Sequence, residues 1–352
     1  MAWQNVYHAF LKLNKSGRKA FAKAIATFLH GDMEGLRSHF KAVRKARFAD
    51  KTACPRCGSE SIKRNGTVAS RDSRRPVRHR YLCKDCRRTF NDLTSSPMAG
   101  THYPEKWTRH IQCMLEGLTL KQTAERLDIS ITTAFHWRHK VLAALRDLPA
   151  DRPLSGIVEA DETYFLESQK GNTNLICRAR RKRGDRAKLR GISRHQIAVL
   201  VAVDRTGGVV SRAVGRGRPK GTDIAAVLHP AVRRDAALVS DGARAFQHFS
   251  KAAELEHHVV LPGERSAGKT WLYHLQHVNS HHSRLKKWMR RFNGVADKYL
   301  DHYLAWFRLL EQTKTLAGRG RRAALLTTAC RVWRQTKVRD FPFPEAPWQH
   351  FA

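Results

Sequence analysis

Two Cys-x-x-Cys pairs, Cys54-Pro-Arg-Cys57 and Cys83-Lys-Asp-Cys86, constrain this chain more than any other feature. A C-x-x-C turn brings two thiolates to one Zn²⁺, and two such turns close a tetrahedral site. The 25 residues between the pairs slightly exceed the usual gap of about 15–20, which a longer hairpin loop absorbs. Asn65-Gly66 and the run R-H-R-Y-L-C give that stretch hairpin character. A zinc held by Cys54, Cys57, Cys83 and Cys86 has no open coordination position, so it is expected to be a folding staple rather than a catalyst. The seven cysteines are odd in number, which argues for a reducing compartment and metal ligation over a disulfide framework. Cys113, Cys177 and Cys330 read as core or incidental thiols.

Charge sets the partner class. Lys and Arg number 66 against 30 Asp and Glu, a formal net charge of +36 over 352 residues. Neutralising phosphates releases condensed counterions, so this balance predicts a polyanion partner, DNA above all. Membrane-surface binding is the rival class, but no amphipathic anchor and no apolar run of about 18 residues supports it. The start, M-A-W-Q-N-V-Y-H-A-F, lacks the basic first residues and apolar stretch of a signal peptide. These features predict a soluble, intracellular nucleic-acid protein.

The pattern divides the chain into a basic helical segment (1–50), the ribbon (51–95), a helix-turn-helix domain (103–150), an α/β domain (151–313) and a basic tail (314–352). In the first segment Val6, Phe10, Leu13, Phe21, Ile25 and Phe28 recur at near-helical spacing. Three helices are predicted between about 105 and 147. After L-P-A-D-R-P, strands alternate with helices. Two closing helices, roughly 280–292 and 296–312, are separated at Asn293-Gly294.

Residues 117–140 fit a helix-turn-helix, with Ala124 where two helices cross, Ile129 plugging the turn, Ser130 as a cap and Trp137 as an anchor. Asp128 stands where glycine is commoner, and Asp tolerates left-handed geometry better than most residues. Thr132, Thr133, His136 and Arg138 are the expected DNA contacts. An ordinary helical hairpin is the plainer alternative.

Three segments of the α/β domain carry candidate chemistry. Asp161 lies in the strand-like G-I-V-E-A-D-E-T-Y-F, Asp241 ends A-A-L-V-S-D, and Asn279 opens the helical H-V-N-S-H-H-S-R-L-K, which also holds Lys286. Two carboxylates at strand ends can hold hard divalent cations through oxygen. A pair of such metals clamps the attacking and leaving oxygens of a phosphodiester. Alternation puts Glu159, Asp161 and Thr163 on one face and Glu162 on the other. Asn279 and Lys286 share a helix face about 10 Å apart along the axis. Leu285, Trp288, Met289 and Phe292 form the core stripe of that helix. Arg180, Arg181, Lys182 and Arg183 read as a phosphate-gripping run or a solvated loop, and Asp204 as a turn residue. His277, His281 and His282 are weaker candidates for DNA or metal contact.

The order of these motifs, with S-D-G-A-R-A-F and F-N-G-V-A-D-K-Y-L-D-H-Y-L-A-W-F, resembles bacterial insertion-sequence transposases, specifically the insertion-sequence 1595 family, over about residues 50–312. The resemblance implies a multidomain fold: an N-terminal zinc ribbon and helix-turn-helix, then an α/β RNase H-like catalytic domain with a mixed sheet and C-terminal helices. That family carries Asp, Asp, then Asn or Glu, then Lys, which fall here on Asp161, Asp241, Asn279 and Lys286. It implies Mg²⁺ (two ions, or Mn²⁺) on Asp161, Asp241 and Asn279, a structural Zn²⁺, and DNA (element ends and target) as partner. A homo-oligomer in the synaptic complex and a nucleoid-associated place in the bacterial cytoplasm follow from the same resemblance. Asn279 offers a neutral amide oxygen where commoner transposases have Glu. Two other readings stay open: a DNA-binding regulator or domesticated, inactive copy, and an RNase H-like nuclease that cuts without joining.

Overall fold

The computed structural model describes residues 3–30, 33–48, 53–68, 76–148, 152–171, 189–261, 263–266 and 271–331. Cys177, the run from Arg180 to Arg183 and residues 332–352 lie outside them. The chain divides into two compact units, one running to Ala144 and taking in a helix near the C-terminus, the other spanning Leu145–Thr315.

The first unit opens with helices α1 (Trp3–Leu11), α2 (Lys15–His30) and α3 (Met33–Arg47). Among the described residues, Val6 in α1, Ile25 in α2 and Leu13 between them are exposed. Helix α3 differs. Leu36, Phe40 and Val43 are buried at i, i+4, i+7, and its far end grips the small sheet of β1 (Ile62–Val68), β2 (Arg78–Cys83) and β3 (Thr89–Asn91). Arg44 pairs with the Asp92 carboxylate at 2.8 Å, and Arg47 donates to the carbonyls of Asp92 and Thr94. Stacked Phe48, Tyr81 and Phe90 fill the space beneath.

Asn65-Gly66 does not turn the hairpin. Both residues lie inside β1, where Gly66 takes φ +73° and the register slips between Arg64 and Thr67. A left-handed glycine at such a slip is a β-bulge, which bends the strand without ending it.

Next come α4 (Trp107–Leu115), α5 (Leu120–Leu127) and α6 (Ile131–Arg146). A capping box starts α5, with the Thr119 hydroxyl and Gln122 side chain bonding reciprocally to each other's backbone amides. Asp128 ends it in the left-handed region, φ 50° and ψ 62°. Ser130 Oγ accepts from the Thr133 amide at 3.0 Å and caps α6. Ala124 is buried at the crossing, Ile129 is half-buried, and Trp137 stacks on Trp107 at 5.2 Å. The tail also contributes a helix that the sequence pattern did not suggest. In α11 (Gly318–Arg331), Leu325, Leu326, Ala329 and Cys330 are buried, and the helix packs on α3 and α4.

The second unit is a five-stranded sheet with helices on both faces. Its strands are β4 (Ile157–Leu166), β5 (Gln196–Asp204), β6 (Val209–Arg216), β7 (Ala237–Ser240) and β8 (Glu256–Val259), in the order β6-β5-β4-β7-β8. β4, β5 and β6 form an antiparallel meander, while β7 and β8 join β4 in parallel. Strand β5 is apolar along its length because both of its faces are covered. Helices α7 (Gly221–Leu228) and α8 (Arg244–Ala252) cover one face, packing Ile224, Phe246 and Phe249 on Val158, Ala160, Leu200 and Leu238. Helices α9 (Gln276–Arg290) and α10 (Leu300–Gln312) pack against β4, β5 and β6. Neither β6 nor α8 was evident from the sequence.

The motif around Phe292 to Phe307 turns out to be the joint of this unit. Asn293 and Gly294 take φ 51° and 89° and turn the chain between α9 and α10. Asp297 accepts from the Ser168 amide at 2.6 Å, and Asp301 from the Ala213 amide at 2.8 Å, so the turn before α10 is bonded to the segment after β4, and α10 itself to β6. Trp288, Phe292, Tyr303, Trp306 and Phe307 form one aromatic cluster between the helices. Asp204 is a turn residue, as expected, collecting donors from Arg152, Thr206 and Gly208.

Candidate active site

The four paired cysteines converge. Cys54 Sγ lies 3.7 Å from Cys86 Sγ and Cys57 Sγ 3.6 Å from Cys83 Sγ, and all four sulfurs fall within 4.8 Å of one another. A Zn–S bond of about 2.3 Å in a tetrahedron puts its sulfurs about 3.8 Å apart, so the donor set fits Zn²⁺. The spacing is far too long for disulfides, which need about 2.05 Å. Gly58 and Arg87, each following the second cysteine of its pair, take φ 74° and 56° and close the two turns.

On α6, Thr132 is exposed and Thr133 and His136 are half-exposed. Arg138 is not available for DNA. It is 1% exposed, and its guanidinium donates to the Leu118 carbonyl at 2.7 Å and the Thr123 hydroxyl at 3.3 Å. Placed at i+1 from Trp137, it faces α5 and ties the two helices together.

The carboxylates meet at the end of β7. Glu159 pairs with Val239 in the parallel register of β4 and β7, so two residues further on Asp161 stands level with Asp241. β7 stops at Ser240, and the chain must leave the sheet there. Gly242 allows this twice over. It sits at φ +78°, and a Cβ at that position would meet Val259 Cγ1 at 2.5 Å. The Ser240 hydroxyl accepts from the Gly242 amide at 3.1 Å and lies 2.8 Å from His257 Nε2, which fixes the loop carrying Asp241.

Electrostatics mark the same place. Burial pushes Asp161 up to about 6, with Asp241 adding to the rise and the Glu162 amide and Lys286 opposing it. Burial, then Asp161 and Asp241, push Glu162 up to about 7. Half-buried Asp161 and Glu162, coupled in charge to exposed Asp241, make this a region that suits a bound cation. Across from them, His282 on α9 places Nδ1 3.8 Å from Asp161 Oδ2. Burial, then Lys286, bring His282 down to about 4, so its imidazole is neutral at pH 7. Asn279 and Lys286, both exposed, lie on the same helix face as His282, one turn before and one after. His281 points away from the carboxylates into the aromatic core, against Phe307 at 5.2 Å.

A second constellation was not apparent from the sequence. Glu159, His274 and His277 bring ligand-type atoms within 4.8 Å of one another, but a guanidinium already stands among them. Arg205 Nη2 is 3.0 Å from Glu159 Oε1, and Nη1 is 2.9 Å from both His274 Nε2 and His277 Nδ1. That arrangement suits an arginine and opposes a metal ion.

Residues 153–308 match the ISXO2-like transposase domain. A protein from Halobacterium salinarum, described as an uncharacterized protein in transposable element ISH50, is 29% identical over 297 residues, covering 82% of this chain and 94% of its own. Among solved structures, a pre-cleavage Mos1 transpososome matches at 13% identity and TM-score 0.21 over 64% of this chain and 79% of that one. The Mos1 mariner paired end complex with Mn matches at 16% identity and TM-score 0.21, over 60% and 78%. The domain match spans β4 to β8, α7 to α9 and most of α10, so the segment that carries Asp161, Asp241, Asn279 and Lys286 is similar to the transposase domain of the insertion-sequence 1595 family.

Proposed function

We propose that this protein is a DNA transposase of the Asp-Asp-Asn type, which binds the terminal inverted repeats of an insertion sequence, cleaves there and joins the freed 3′ ends to target DNA. The observation that carries the reading is the β4–β7 register, which sets Asp161 level with Asp241 and opposite α9. The sheet order, an antiparallel meander followed by two parallel strands, supports reading this unit as an RNase H-like core.

Asp161 and Asp241 would hold Mg²⁺, or Mn²⁺, with the Asn279 amide oxygen as a neutral third donor. Bound there, the metal supplies Lewis acidity to the scissile phosphate and to the attacking oxygen. The protein's own groups set up that step. Neutral His282 lies beside Asp161 and adds no charge to compete with a cation. The Ser240–His257 contact keeps Asp241 in place, and the Lys286 ammonium can neutralise a phosphate oxygen. Thr132, Thr133 and His136 on α6 would read DNA in the major groove, with the zinc ribbon and the Arg180, Arg181, Lys182 and Arg183 run contacting phosphates. Synapsis of two ends requires at least two protomers.

A strand-transfer assay on DNA carrying the element's own ends, in Mg²⁺, tests the reading. Joined product is expected. Nicks without joining would favour a nuclease, and binding without nicks would favour a regulator or inactive copy.

A further inference from the structure

Glu159 is two residues from Asp161 on the same face of β4, fully buried, and takes no part in holding the metal as described above. Helix α9 begins without a cap of its own: its N-cap position is Leu275, and no side chain there bonds the first turn. The exposed donors of that turn go to Glu159 instead. Oε2 accepts from the His277 amide at 2.8 Å and from the Val278 amide at 3.1 Å. A carboxylate at this end also meets the positive pole of the helix. Arg205, at the end of β5, pairs with Oε1 at 3.0 Å and donates to the Leu272 carbonyl at 2.9 Å, so the loop entering α9 is held as well.

The spacing is what gives this consequence for the site. Two residues along a strand advance about 7 Å, and four residues along a helix advance about 6 Å. Glu159 with Val278 and Asp161 with His282 are therefore successive rungs of one ladder between β4 and α9. Fixing the first rung fixes the second, and with it the height of Asn279 and Lys286 above the carboxylates.

We propose that Glu159, clamped by Arg205, is a positioning residue that sets the register of α9 against β4 and so places Asn279, His282 and Lys286 over Asp161. The role rests on the metal site proposed above. Glu159→Gln keeps the shape of the side chain but turns one acceptor oxygen into a donor and removes the charge. The double variant Glu159→Gln/Arg205→Met removes both charges of the pair together, so it keeps the fold if the single variant does not.

The test compares both variants with wild type by amide hydrogen exchange, by calorimetric binding of Mn²⁺ to the free protein, and by nicking of end DNA. Exchange over residues 276–282 is expected to quicken about tenfold, with weaker Mn²⁺ binding and slower nicking. Exchange in β5 and α10 and affinity for end DNA should stay at wild-type values. Wild-type Mn²⁺ affinity and exchange in both variants would overturn the proposal. So would faster exchange across the whole domain, which would mark Glu159 as a general fold residue. A wild-type protein that binds no Mn²⁺ would refute the metal site itself, while exchange in α9 would still decide whether Glu159 sets its register.

Discussion

His282 Nδ1 on α9 and Asp161 Oδ2 on β4 lie 3.8 Å apart, and the histidine is neutral. The site thus concentrates negative charge on the strand side, and the helix offers it a neutral ring, a neutral amide and one flexible ammonium. Such a site is destabilising until a cation arrives.

Metal-free stability should reflect this. The folded pKa values of Asp161, about 6, and Glu162, about 7, lie above their ordinary values of 3.8 and 4.5. The folded state then keeps protons that the unfolded chain has lost, and stability falls as pH rises from about 4 to about 7. Asp161→Asn is expected to melt above wild type in EDTA at pH 7.5, by on the order of 1–3 kcal/mol, and to lose that advantage below pH 4. Mn²⁺ should raise the melting temperature of wild type only. A metal-free variant that melts lower than wild type at pH 7.5 would contradict the account.

In the proposed site Asn279 would supply the third ligand. Exchanging its amide for a carboxylate in Asn279→Glu should tighten Mn²⁺ binding, because hard cations favour anionic oxygen. Calorimetry on the free protein checks this, and unchanged affinity would place Asn279 outside the metal's reach.

Zinc is expected at one equivalent per chain by elemental analysis. Stripping it, or replacing Cys54 with Ser, should unfold the β1–β3 sheet, since structural zinc supplies about 10–16 kcal/mol to such small units. End binding should be lost with it, and circular dichroism with gel shift reads both.

On α6, Thr132→Ala and His136→Ala should each weaken end binding by about 1 kcal/mol or more with little change in melting temperature. Arg138→Met should do the reverse. It leaves the Leu118 carbonyl unpaired, costing about 1–3 kcal/mol of stability. Equal loss of binding at all three positions would refute the assignment of Arg138 to the interior.

Much of this site could be read from the sequence, because its parts are locally encoded. Alternation on β4 places Asp161 with Glu159, the S-D-G turn announces a chain leaving a sheet, and seven-residue spacing joins Asn279 to Lys286. The cysteine turns and the capping residues Thr119 and Ser130 are local in the same way. What stayed hidden depends on partners far off in the chain. Glu159 acts 118 positions away on His277, and Arg138 looks like any basic recognition residue until Leu118 and Thr123 are seen beneath it. Helix α11 is basic and only weakly amphipathic, so no periodicity separates it from a solvated tail. β6 carries Ser, Arg and Gly among its apolar residues and becomes a strand only by pairing with β5.

The central claim is that Asp161 and Asp241 together hold the metal that cuts DNA. Single-turnover nicking of labelled end DNA in Mn²⁺ by Asp241→Ala, beside wild type and with end binding measured on the same preparations, tests it most directly. The account predicts wild-type affinity for the ends and no nicked product. Nicking by Asp241→Ala at a rate near that of wild type would contradict it.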